Sequence, residues 1–150
     1  MASGEGPSPW WAARVARAVV LIRLLVGWVF VSEGIQKFLF PAQLGVDRFE
    51  KINIPAPHLM APLVGTVEIV CGCLLLVGLF VRVASIPLLG VISVAILTTK
   101  FPMLAKAGVW AMLHEARTDF SMLLGLVFLM IAGAGSLSLD ARRSKIGRLR

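Results

Sequence analysis

The chain has no tyrosine, two cysteines and two histidines among its 150 residues, with eight acidic side chains. Each shortage closes off a class of function. Cys71 and Cys73 do not make a disulfide framework. Residues two apart on a helix point about 200° apart at ~100° per residue, so they cannot bridge each other. That also argues against a membrane thiol oxidase, which needs paired reactive thiols near water. His114-Glu115 starts like a zinc-binding HExxH helix, but position 118 holds Thr118 in place of the second histidine. His58 stands alone beside Pro57. No metal site is expected. The haem motif CxxCH, GxGxxG, the P-loop and the nucleophile elbow are missing too, so no catalytic constellation follows from spacing alone.

What the chain does have is oil. Hydrophobic residues make up 58% of it, against roughly 45–50% in soluble domains with glycine included, and its mean hydropathy is +0.88. A spanning helix needs about 20 mostly apolar residues. Four runs come close, at residues 17–38, 61–80, 83–99 and 120–139. Continuous runs exclude the alternating pattern of barrel strands. The expectation is an all-α fold, an antiparallel four-helix bundle integral to a membrane, with short interfacial helices in the outer loops. One such helix is expected within residues 43–52, where Leu44, Phe49 and Ile52 oppose Asp47, Arg48, Glu50 and Lys51. Residues 100–119 are read as a second interfacial loop. Residues 1–14 read as a disordered tail, 15–140 as the membrane domain and 141–150 as a basic tail. Trp10 and Trp11, followed by Arg14 and Arg17, read as an interfacial anchor. No small-x-small cleavage site follows the first apolar run, so it is expected to be retained.

The formal charge is +7, yet nucleic acid is not the expected partner. The basic residues cluster at chain ends and at the edges of apolar runs, where positive-inside bias puts them. Arg14, Arg17, Arg82 and the cluster Arg142, Arg143, Lys145, Arg148 and Arg150 would share one side. Lys37, Arg48, Lys51, Lys100, Lys106 and Arg117 would share the other, nearly balanced there by acids. Both termini are therefore expected in the cytoplasm, in a multi-pass protein of the cell inner (plasma) membrane.

Charges inside the runs are the functional candidates. Arg23, Gly27, Phe30, Gly34 and Lys37 are spaced by four and three, and so share a stripe of the first helix. Gly65, Glu68 and Gly72 form a similar stripe on the second. Glycines flanking a charge point to close helix contact. By rise alone, Arg23 and Glu68 differ in depth by roughly 9 Å, a gap a long guanidinium reaching up the stripe would mostly cover. The expected polar pocket comprises Arg23, Glu68, Lys37 and Glu33. Asp119, Arg117, His114 and Glu115 are weaker candidates for a second outer cluster. Pairing could serve only to hold the helices together, or it could bind a quinone-like ring, a proton or a small polar substrate.

These residues also carry a resemblance. Leu21-Ile22-Arg23 through Gly27, Phe30, Gly34, Gln36 and Lys37, the loop Ile54-Pro55-Ala56-Pro57, and Gly65-Thr66-Val67-Glu68 with Gly72, Gly78-Leu79 and Arg82 resemble the DoxX family of small bacterial membrane proteins. So do Gly133-Ala134-Gly135 and Ser138-Leu139-Asp140. Residues 100–119 depart most from the pattern. The resemblance implies a four-helix membrane bundle. Arg23, Lys37 and Glu68 fall on the family's charged positions. Some relatives belong to a thiosulfate:quinone oxidoreductase, and others are linked to membrane redox complexes and to thiol or oxidative-stress homeostasis. The expected role is thus a redox-associated subunit that handles quinone or a small sulfur or thiol molecule with a protein partner, or as a homo-oligomer. The alternatives are a small transporter or proton-coupled permeation protein, and a non-catalytic scaffold.

Overall fold

The computed structural model describes residues 10–147, and the side chains of residues 13–143. Among these the protein is all helix, without a strand. Helix α1 is Trp10–Leu39, α2 is Val46–Lys51, α3 is Pro57–Val77 and α4 is Val81–Ala95. A wider π-helical turn, Ile96–Lys100, joins α4 to α5, Phe101–Ala132, and α6 is Leu139–Gly147.

Three stretches are long and apolar enough to cross a bilayer: Ala13–Leu39, Pro57–Val77 and Val81–Ala132. Only 28%, 28% and 33% of their most apolar windows are buried inside the protein. The remaining oil faces outward, as at Trp28, Val83 and Ile131. Exposure to water costs about 25 cal/mol per Å² of such surface, so the outward faces require lipid.

The third stretch holds 52 residues. Straight, it would run ~78 Å at 1.5 Å per residue, over twice a hydrocarbon core of about 30 Å. It does not run straight. Gly108 leaves helical geometry at φ 83° and ψ 174°, a conformation that suits glycine. Lys100 Nζ lies 3.1 Å from Asp119, although a straight helix would separate the two residues by ~28 Å. The chain therefore folds back at Gly108, and α4 packs on the returning part of α5. Residues 100–119, expected as an interfacial segment, are helical and form the tip of this hairpin. Leu, Met, Ala and Lys in it favour helix, and Pro102 sits in the first turn of α5, where proline is tolerated.

Other boundaries move for similar local reasons. The last long helix ends at Ala132 rather than 139, because Gly133 and Gly135 take φ of 75° and 72°. Ser138-Leu139-Asp140 opens α6 instead of closing that helix. Helix α3 stops at Val77 rather than 80. Gly78 takes φ 72°, Leu79 N–H reaches Leu74 O at 3.0 Å and Gly78 N–H reaches Leu75 O at 3.1 Å, a Schellman ending. Helix α1 already begins at Trp10, within the stretch read as a tail. Residues 1–9 of that tail, residues 148–150 of the basic tail and the side chains of Trp10 and Trp11 lie outside the described residues.

Helices α1 and α3 meet almost backbone to backbone. A Cβ on Gly34 would stand 2.7 Å from Gly65 O, and one on Gly27 would stand 2.9 Å from Gly72 O. These pairings run in opposite order along the two helices, so the helices are antiparallel. The glycine stripes expected from spacing are the contact. Val26, Leu75, Leu88, Leu126 and Leu129 fill the core around it, each at 0% exposure.

One side chain ties the end where α3 turns into α4. Arg23 is 2% exposed. Its Nε donates to Leu75 O at 2.9 Å and its Nη2 to Leu76 O at 3.1 Å. Its Nη1 donates to Ala134 O at 2.7 Å and to Leu137 O at 2.8 Å. The first two carbonyls end α3, where the helix dipole favours a cation. Asp140 secures the same corner by accepting from the N–H groups of Phe80 and Val81 at 3.0 and 3.3 Å, a cap on the start of α4. Ser136 N–H completes it by donating to Ala16 O at 3.0 Å.

Replacing Arg23 by Ala takes the donor from Leu76, Ala134 and Leu137 O, while Leu75 O keeps Gly78 N–H, at about 1–3 kcal/mol for each buried group left unmade. Arg23→Ala is expected to unfold at lower temperature in mild detergent. Arg23→Lys should rescue little, because a point ammonium lacks the planar fork that spans two segments. Gly78→Ala should fail similarly: its Cβ would lie 2.6 Å from Arg23 Cζ at a positive φ. Thermal unfolding of the purified variants checks all three, and wild-type stability in Arg23→Ala would refute the tie.

Candidate functional site

The direction of a helical side chain decides which charges meet. Cα–Cβ bonds tilt toward the helix N-terminus. In α1 that tilt carries Lys37 back toward the middle of the protein. In the antiparallel α3 it carries Glu68 the opposite way, toward Pro57. The two side chains converge, with Lys37 Nζ 2.6 Å from Glu68 Oε2. Both are deeply set, at 12% and 4% side-chain exposure. Glu68 lies ten residues from the Gly78 turn, ~15 Å by helical rise, and so near the middle of α3.

The same tilt turns Arg23 away from Glu68 and into the carbonyl cluster. The expected Arg23–Glu68 pair does not form, and Arg23 lies outside the cavity that Glu68 lines. The 2.6 Å contact is an ion pair and not a well-angled hydrogen bond, for Glu68 Oε2 has no hydrogen-bond partner of acceptable geometry among the described residues. Paired by charge, it still has room to accept from a donor.

Lys37 and Glu68 form part of the wall of a cavity of about 580 Å³. Phe30, Val64, Val91, Ile92 and Met122 give it apolar sides. Glu33 lines it as expected, as do Glu115 and Asp119 from the outer cluster. Arg117 and His114 do not. Arg117 instead donates to the backbone oxygen of His114 at 2.6 Å on the exposed surface. His58 faces Glu50 at 3.5 Å, both well exposed. Among the described residues no three His, Cys, Asp or Glu side chains converge as a metal ion requires. Cys71 is half-buried, Cys73 is exposed, and neither lines the cavity.

Two cavity residues escaped the spacing analysis. Arg48 comes from α2, which folds over the cavity against α3. Lys100 is 8% exposed and lies 3.1 Å from Asp119 and 3.7 Å from Glu115. The π-helical turn delivers it. Thr98 and Thr99 hydroxyls donate to the carbonyls of Val94 and Ala95 there, at 2.8 and 2.6 Å. Wide turns of this kind frequently occur at functional sites, but nothing in residue spacing announces one. The available signal was a cation at the end of an uncharged run, with acids at Glu115 and Asp119.

Removing either member of the Lys37–Glu68 pair leaves the other charge buried and uncompensated, which is costlier than removing both. Lys37→Met and Glu68→Gln are each expected to lower thermal stability in detergent. The double variant should recover part of the loss, with a coupling of about 0.5–3 kcal/mol. Additive losses would show that the two side chains do not interact.

Comparison with known proteins agrees with a membrane protein. Residues 18–100 match the DoxX family. The chain is 56% identical over 134 residues to a protein of Mycobacterium tuberculosis described as the uncharacterized membrane protein Rv3486, covering 85% of this chain and 82% of that one. No solved structure matches the chain. A family match spanning the charged helices α1 and α3, joined to a relative matched over most of its length, shows that this chain is a membrane protein belonging to the DoxX family.

Proposed function

We propose that this protein binds a small quinone-like redox molecule in the cavity above the Lys37–Glu68 pair, as one part of a membrane oxidoreductase. The observation that carries the reading is a cavity of about 580 Å³ with apolar sides and one buried ion pair deep in its wall. Small-molecule sites are typically 300–1,000 Å³, mostly apolar, with few convergent polar groups. A quinone ring suits the apolar sides. Its carbonyl oxygen would accept from Lys37 Nζ, and Glu68 would hold or release a proton at Oε2. Reduction of the quinone takes two electrons and two protons. Since neither Cys71 nor Cys73 lines the cavity, the electrons would come from a thiol or sulfur donor, or from a partner protein.

The reading includes a topology of four antiparallel spans in the inner membrane, with the fold-back at Gly108 dividing the 52-residue stretch into two. Both termini would be cytoplasmic, as the cations at the α3–α4 turn and after α5 favour. A second reading, proton-coupled permeation, draws on a gradient of carboxylate exposure. Glu115 is 58% exposed, Asp119 23% and Glu68 4%, all along one cavity.

The test is a titration of the purified protein in mild detergent with short-chain quinones. Binding is expected, and Lys37→Met or Glu68→Gln should weaken it at least about tenfold, or ~1.4 kcal/mol. Absence of both bound quinone in gently extracted protein and binding on titration would sink the redox reading. Proton flux into liposomes, lost in Glu68→Gln, would then favour permeation.

A further inference from the structure

A second concavity lies at the opposite end of the molecule, away from the Lys37–Glu68 cavity. It is a shallow groove of about 330 Å³ between the start of α4 and the turn after α5. Phe80, Val83 and Ala132 give it apolar walls, and Arg82 and Asp140 lie along it. Asp140 is the one carboxylate in its lining, and it is committed to the N–H groups of Phe80 and Val81. Arg82 is exposed and fixed at one point, donating from Nη2 to Ile131 O at 3.1 Å. Arginine carries five donors, so most of the fork remains for another acceptor. Gly133 has no Cβ, and one built there would already meet Arg82 Nε at 3.5 Å. A second guanidinium, Arg143, lies over the Phe80 ring at 5.4 Å from its centroid, within cation–π range.

The groove thus carries one guanidinium in its lining, Arg82, and has a second, Arg143, stacked on the ring of a lining residue, Phe80, beside exposed apolar side chains. Phe80 is 51% and Val83 64% exposed. We infer that this groove seats a phospholipid with an anionic headgroup, its phosphate between Arg82 and Arg143 and an acyl chain along Val83 and Ala132. Guanidiniums recognise phosphate in a forked, bidentate way. The occupant carries negative charge because two guanidiniums outnumber the one carboxylate there, and that carboxylate is turned to the N–H groups of Phe80 and Val81. It must be a lipid because the floor is apolar and opens to the bilayer.

The full chain in neutral detergent is incubated with phosphatidylglycerol or phosphatidylcholine, and retained lipid is read by native mass spectrometry. Wild type should retain phosphatidylglycerol preferentially. Each cation near a membrane surface contributes about five-fold in binding, so Arg82→Gln and Arg143→Gln should each cut that preference by about this factor. Arg142→Gln removes the same charge about 100° around α6 and should leave the preference nearly unchanged. No preference in wild type, or an equal loss in Arg142→Gln, would overturn the site, the latter by showing diffuse surface charge instead. If Arg82→Gln does not fold, for want of its bond to Ile131, Arg143→Gln against Arg142→Gln decides the matter alone.

Discussion

A guanidinium buried among carbonyls holds this fold together at one end. Arg23 reaches the last carbonyls of α3 and the backbone after α5 at once. A charge at the centre of a spanning helix costs about 2.5–3.5 kcal/mol on insertion scales, so it must find partners inside the protein. Here the partners are backbone carbonyls at the end of α3, where a helix leaves acceptors open, and in the turn after α5. The cation and the open carbonyls solve each other's problem, and α1, the α3–α4 turn and the α5–α6 turn are brought to a single point. Gly78 and Gly135 are bare because the guanidinium and the start of α1 occupy the space a side chain would need.

From that anchor the register of α1 on α3 follows, and with it the cavity. Glycines at 27 and 34 settle against glycines at 72 and 65, at distances that admit no Cβ. The antiparallel fit then sets Lys37 six residues, ~9 Å by helical rise, beyond the level of Glu68, with both side chains leaning toward the gap. The ion pair is thus a product of backbone packing and Cβ direction together. The cavity beside it exists because α4 leans on α5 while α2 closes over the outer side.

Much of this was legible in the residues. The apolar runs announced helices in lipid, and the stripes of glycine announced the α1–α3 contact. The amphipathic pattern within residues 43–52 announced α2. The charges singled out on the first two runs, Arg23, Lys37 and Glu68, are all deeply set, but the pairing differs from the one expected. Depth along the helix suggested Arg23 for Glu68, while the tilt of Cβ sends the two side chains apart. Residues 100–119 read as a loop because their charges and shorter apolar segments fail the spanning criterion. Their helix-forming residues continue the helices α4 and α5, and the chain reverses at Gly108. Gly133 and Gly135 stood inside the run read as a helix to 139, and the role of Asp140 as a cap on a helix sixty residues earlier requires the folded chain.

The wide turn at Ile96–Lys100 has a rotational consequence. Inward residues along α4 recur every fourth position, at Ala84, Leu88, Ile92 and Ile96. On an ordinary helix a step of four overshoots a full circle by ~40°, so such a row spirals off its face within a few steps. Widening the turn lowers the angle per residue and takes back the overshoot. The row is thereby extended by one more member, and that member is Lys100. The bulge acts as a vernier, keeping the last position of a long oily face in line so that a cation at its end can still look inward.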